Sequence, residues 1–189
     1  MPKKVRALCH FGKWHNIETE DDVTAYLEFP NGATGVFVTS TADSPGTNRL
    51  EILCSRGRIV CEKDTLTIDR HDGELQTFLM SEPVAFSEPG FKTEIIPQGG
   101  ENPQHVGILN NVANAVLGIE PLYVDGKEGI KCVELINAML LSAWKNEEVS
   151  LPVDDDEYYR YLQQHIAASK KKSGEDILID NSMSFGGTK

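Results

Sequence analysis

Residues 20–62 read EDDVTAYLEFPNGATGVFVTSTADSPGTNRLEILCSRGRIVCE. Within them Val23, Ala25, Leu27 and Phe29 alternate with Thr24, Tyr26 and Glu28, the period of a strand with one buried face. Pro30-Asn31-Gly32 follows, and Asn-Gly is a strong hairpin signal because both residues tolerate positive φ. Residues 34–41 form the return strand, and the breaker-rich ADSPGTN is a loop. Residues 48–55 and 58–62 make a second hairpin across Arg56-Gly57.

Working outward, residues 3–11 are a further strand. Residues 65–70 and 74–79 are expected to pair across His71-Asp72-Gly73, and a short strand lies near 92–96. The pattern then changes period. Val106, Leu109, Val112, Ala113 and Val116 share a helical stripe over 103–117, with Pro103 in the first turn and Gly118 at the end. Ile130, Val133, Ile136, Asn137, Leu140, Leu141 and Trp144 give a helix over 127–145 its apolar face. A third helix spans 154–169. Strands followed by helices predict an α+β fold: an open, mainly antiparallel six- to seven-stranded sheet with helices packed on one face. Residues 1–170 are read as one domain and 171–189 as a flexible tail. The second sheet face, assigned Tyr26, Phe37 and Thr39, is a candidate subunit contact of a homo-oligomer, the alternative being the solvated face usual for an antiparallel sheet.

The chain has 189 residues, 40% hydrophobic and 25% charged, with a net charge of −11. That charge argues against nucleic acid and anionic membranes as partners, since phosphate binding needs a basic face. No stretch is apolar over the length of a membrane span, and no targeting segment is visible, so the cytoplasm is the default expectation. Cys9, Cys54, Cys61 and Cys132 form no CxxC pair and are read as reduced, buried thiols.

The order of these segments resembles the C-terminal domain of the Gfo/Idh/MocA oxidoreductases. The carriers are the acidic pair Asp21-Asp22 entering a strand, the Phe29-Pro30-Asn31-Gly32 turn, and Arg49, Glu51, Ile52 and Gly57. A second block follows: Gly118, Pro121, Gly126, Gly129 and Val149–Pro152. The resemblance spans roughly residues 5–168. It implies a substrate-side and oligomerisation domain of an NAD(P)-dependent sugar or polyol dehydrogenase, with NAD or NADP belonging to the intact enzyme and a sugar or polyol as its partner. The family's other half carries a glycine-rich nucleotide loop, a Glu-Lys-Pro motif and an Asp-xxx-His pair. This sequence has no GxGxxG after a strand, no Glu-Lys-Pro and no Asp-xxx-His before its first strands. No catalytic, cofactor-binding or metal residue is therefore assigned, and the chain alone is expected to be inactive. Pro2-Lys3-Lys4-Val5 enters a strand directly, as a domain cut from a longer chain would. The alternative is a stand-alone oligomeric binding module that reuses the fold without catalysis.

Five residues are substrate-binding candidates. Lys13, Trp14 and His15 share one loop, where an indole could stack on the C–H face of a sugar while polar groups bond its hydroxyls. Arg49 could clamp a polar group or pair with Glu51 or Glu28. His105 stands at a helix N-terminus, where the dipole favours the neutral ring. Asp21-Asp22 and Asp154-Asp155-Asp156 are read as solvated or helix-capping acids.

Overall fold

The computed structural model describes residues 1–97, 99–100 and 103–170. The expected tail, 171–189, lies outside them, as do Glu101 and Asn102 of the loop before His105. The described elements are β1 (Lys4–Phe11), β2 (Glu20–Glu28), β3 (Thr34–Ser40), β4 (Arg49–Cys54), β5 (Gly57–Glu62), β6 (Thr65–His71), α1 (Leu75–Ser81), β7 (Phe91–Pro97), α2 (Gln104–Val116), α3 (Glu128–Lys145), β8 (Val149–Ser150) and α4 (Asp155–Ala168). The α+β class holds. The strands divide between two four-stranded sheets, ordered β3-β2-β1-β8 and β4-β5-β6-β7. The described residues form two compact units, one of residues 1–38 with 132–170 and one within Thr39–Lys131.

In the first unit the alternation in β1 and β2 places Val5 opposite Leu27 and Ala7 opposite Ala25. With Val23 and Val149 they meet Ala138, Met139 and Leu141 of α3 in the core, and Trp144, Tyr158 and Tyr161 pack against its edge. The buried stripe of α3 differs from the sequence reading. Leu141 is buried and Trp144 packs against the core as that reading has them, but Ile130, Val133 and Ile136 are exposed, and Ala138, Met139 and Ser142 are buried instead. The helix is apolar around most of its circumference, so periodicity does not single out a face. Small residues decide it by letting α3 approach β1. Beyond the short β8, whose partners on β1 are Lys4 and Val5, the Ala7 N–H donates to Ser142 Oγ at 2.9 Å, and that hydroxyl donates onward to the Glu147 carbonyl. A fully buried serine thus satisfies two main-chain groups at once.

A Cβ built on Gly35 would lie 3.7 Å from the Leu27 side chain. The odd positions of β3, Phe37 and Thr39 among them, therefore share the side of Leu27, and the outer face of this sheet carries Leu8, Tyr26, Val36 and Val38. This corrects the grouping of Phe37 and Thr39 with Tyr26.

In the second unit the paired rows Leu50–Cys61–Leu66–Ile96 and Ile52–Ile59–Ile68 share one face. The opposite face carries an ionic ladder: Arg49 with Glu51 and Glu62, then Arg58 with Glu51 and Asp69. The strand expected over 74–79 is instead the helix α1, and β6 pairs with β7. Leu75, Phe78 and Leu79 repeat at i, i+3 and i+4, and the Thr77 hydroxyl donates to the Glu74 carboxylate at 2.9 Å, which favours a helical turn over an alternating strand. The cysteines also differ from expectation. Cys54, Cys61 and Cys132 are exposed, and Cys9 is half-buried; burial, reinforced by Glu20, pushes the Cys9 thiol up to about 11.

Candidate functional site

The connection from β1 to β2 is built by its acids. Gly12 has φ +65°, and a Cβ there would lie 2.4 Å from the Ile17 carbonyl oxygen, so only glycine starts this turn. Strand alternation then sends Asp21 to the side of Val23 and Ala25, and Asp22 to the side of Thr24 and Tyr26. Asp21 is 3% exposed. Its carboxylate accepts the backbone N–H groups of Lys13 at 3.1 Å, Trp14 at 2.7 Å and His15 at 3.0 Å. Asp22 accepts the Lys13 ammonium at 2.9 Å and the Trp14 indole N–H at 3.1 Å, and stands 3.2 Å from His10 Nδ1. The far end of the loop is tied down as well, since Glu18 accepts the Ser169 hydroxyl and the Lys170 backbone N–H beyond α4.

These contacts lower both carboxyl pKa values. For Asp21 burial acts the other way, and the three backbone donors outweigh it. For Asp22 the Lys13 ammonium, followed by the indole N–H, holds the carboxyl well below the usual carboxylate range. A depressed folded-state pKa gives stability that is present above the unfolded value and lost as pH falls through the folded one. The loop should therefore keep its form from neutral pH down to about pH 4, the ordinary aspartate value, and loosen below it. The Trp14 indole N–H resonance reports this, assigned with Trp14→Phe; it is expected to move only below that pH, and movement between pH 5 and 8 would place control with a histidine instead.

The structure brings Lys13, Trp14 and His15 onto one pinned platform in the first unit. Trp14 is 53% exposed, and the Lys13 ammonium lies 4.8 Å from its ring centroid. An indole face so presented can stack on an apolar ligand face beside polar groups. Asp21 and Asp22, read from sequence as solvated or capping acids, are what shape the platform. The available signal was an acidic pair at a strand entrance just after a loop led by glycine. Asp154 does cap its helix, accepting the Glu157 N–H at 2.7 Å.

Arg49 and His105 lie in the second unit. Arg49 spends its guanidinium on Glu51 at 2.8 Å and Glu62 at 2.9 Å; the strand partner is Glu62, with Glu28 taking no part. His105, in the first turn of α2, borders an open cleft of about 680 Å³ with Ile108, Asn111, Glu120 and Tyr123. The buried Asn111 side chain bonds the Pro121 carbonyl at 3.0 Å and the Tyr123 N–H at 2.9 Å. Glu120 takes Asn114 at 2.9 Å and the Tyr123 hydroxyl at 3.2 Å, and these donors, Asn114 foremost, lower its pKa. A second cleft, of about 600 Å³, lies over Leu50, Cys61, Leu66 and Ile96 beside Asn48.

A dinucleotide does not fit the described residues. Such a site needs a parallel strand, a glycine loop and a helix N-terminus open to pyrophosphate. The pairs β1–β2, β1–β8, β4–β5, β5–β6 and β6–β7 are antiparallel, and the start of α4 holds Asp154, Asp155, Asp156 and Glu157, which repel an anion. No group of three or more His, Cys, Asp or Glu that could hold a metal occurs among the described residues, nor does any helix long and apolar enough to cross a membrane.

No curated protein matches the sequence significantly. Among solved structures, the WlbA dehydrogenase from Bordetella pertussis, in complex with NADH and UDP-GlcNAcA, superposes with a TM-score of 0.55 at 22% identity, covering 81% of this chain and 40% of that one. An NAD-binding protein from Listeria innocua gives 0.55 at 18% identity, covering 79% and 41%. The UDP-N-acetylglucosamine 3-dehydrogenase GnnA from Acidithiobacillus ferrooxidans gives 0.51 at 17%, covering 68% and 38%. At these identities the likeness is one of fold, and the chain spans about two fifths of the length of those proteins. Residues 1–60, which hold β1–β3, the Lys13–His15 platform and the β4–β5 hairpin up to Val60, match the model of the GFO/IDH/MocA C-terminal domain, and with that match the resemblance read from the sequence is shown.

Proposed function

We propose that this chain is the substrate-side and oligomerisation domain of an NAD(P)-dependent sugar or polyol dehydrogenase whose nucleotide-binding half lies outside these residues. The observation that carries the reading is the family match over residues 1–60, which contains the Trp14 platform. Its preorganised loop suits a ligand with an apolar face and hydroxyl edges. The NADH complex among the structural neighbours supports a nicotinamide cofactor for the intact protein. The outer face of the first sheet, with Leu8, Tyr26, Val36 and Val38 exposed, supports contact with a second copy.

The test reads the coding sequence that precedes residue 1, then assays its product. A glycine-rich strand–loop–helix, a Glu-Lys-Pro and an Asp-xxx-His in frame are expected, with NAD(P) reduction by a sugar or polyol that Trp14→Ala impairs. An independent promoter and start directly before residue 1 would contradict the proposal and favour the stand-alone module.

A further inference from the structure

The turn between β2 and β3 combines a reactive sequence with an unusual hydrogen bond. Asn31 and Gly32 are both exposed. Phe29 N–H donates to the Ala33 carbonyl at 2.9 Å, and Gly32 N–H to the Phe29 carbonyl at 3.0 Å. Gly32 has φ +85°, and a Cβ built on it meets nothing within 4 Å. The Asn31 side chain folds over the turn, and its Oδ1 accepts the Ala33 backbone N–H at 3.1 Å.

We propose that Asn31-Gly32 is a self-modification site at which Asn31 converts to aspartate and isoaspartate. The step needs only water and base. The Gly32 amide nitrogen loses its proton to solvent and attacks Asn31 Cγ. A C–N bond forms there, the bond to the side-chain nitrogen breaks, and ammonia leaves with a proton from solvent. The resulting five-membered imide is opened by water at either carbonyl. Opening at the main-chain carbonyl leaves an isoaspartyl linkage, with the backbone routed through Cβ; opening at the other restores the normal chain as aspartate. Nothing is oxidised or reduced.

Three features favour the step at this position. Gly32 has no side chain to crowd its own nitrogen. The turn is open to solvent, so base and water reach it. Ala33 N–H already points at Oδ1, where negative charge develops as the nitrogen adds to Cγ, which is how a fixed donor lowers such a barrier. The bond from Gly32 N–H to Phe29 must open first, so the rate follows local fraying of the hairpin.

The product differs from the parent in two ways. The net charge goes from −11 to −12. In the isoaspartyl form one extra backbone carbon enters a turn closed by the Phe29–Ala33 pair. That disturbs the register of β3, the edge strand that carries Val36 and Val38.

The full chain is held in mildly alkaline buffer at body temperature and digested with trypsin. The peptide spanning residues 14–49 contains Asn16, Asn31 and Asn48, followed by Ile17, Gly32 and Arg49. Fragmentation should place a one-unit mass gain at residue 31, formed on the order of tenfold faster than at Asn16 or Asn48, whose followers carry side chains. Asn31→Gln should show no gain at that position. Conversion at residue 31 no faster than at Asn48 would overturn the proposal. The converted fraction, separated by ion exchange, should exchange the β3 amide protons faster than the parent, and equal exchange would overturn the structural consequence.

Discussion

Gly57→Ala is expected to break the pairing of β5 with β6. Gly57 has φ +145°, a region essentially closed to side chains, and a Cβ there would sit 1.9 Å from the Asp69 carbonyl oxygen and 3.2 Å from the Arg70 Cα. Both obstacles are backbone, so neither can rotate away. Overpacking costs about 1–3 kcal/mol, and the forced conformation about 1–3 kcal/mol more. The damage should spread along β6, because Asp69 is the buried acceptor for Arg58 at 2.8 Å and Thr93 at 2.6 Å. Amide exchange in β5, β6 and β7 should accelerate while the core strands of the first unit keep their protection. Gly73→Ala is the matched control. Its Cβ would meet nothing within 4 Å, so its effect should stay within about 0.5 kcal/mol, as for an ordinary surface change.

Leu141→Ala should destabilise the first unit by about 2–5 kcal/mol, the range for emptying a core leucine. Leu141 is fully buried and lies between the sheet residues Val5, Ala7, Val23 and Ala25 and its own helix neighbours Ala138 and Met139. The strands below it are held by backbone pairing and can close little of the cavity, which puts the cost towards the upper end. Ile136→Ala, five residues earlier on the same helix and 51% exposed, should cost well under 1 kcal/mol. The sequence pattern put both residues on one apolar face, whereas the structure buries only Leu141 of the two; denaturant midpoints of the two variants test that difference, and equal losses would contradict the observed packing.

The contrast between these two helix positions shows where the sequence was informative. Val23, Ala25 and Leu27 alternate with polar residues, and a period of two leaves one way to bury them, so β2 and its hairpin were legible to within two residues. In α3 apolar residues run round the helix, and the packed side is set by the small Ala138 and Ser142 and by a main-chain N–H at Ala7 that needs a partner. That requirement belongs to the assembled sheet and leaves no local trace. Residues 74–79 misled for a related reason. Six residues satisfy either period, and the pairing of β6 with the more distant β7 decides the matter. At the site, Lys13, Trp14 and His15 were legible as chemistry, whereas the acids that hold them were not. Asp21 and Asp22 are adjacent in sequence and serve opposite sides of one strand. Only the register of β1 on β2 reveals that the first is buried under three backbone donors.

The division of labour in the proposed enzyme rests on one claim, that these residues provide a ligand platform and sheet but no nucleotide cradle. Titrating the full chain with NADH and with NADPH, followed by calorimetry, tests it most directly. The account predicts no saturable binding of either nucleotide at micromolar concentrations, because antiparallel strands and the acidic start of α4 offer pyrophosphate no seat. Saturable micromolar binding of either one would contradict it.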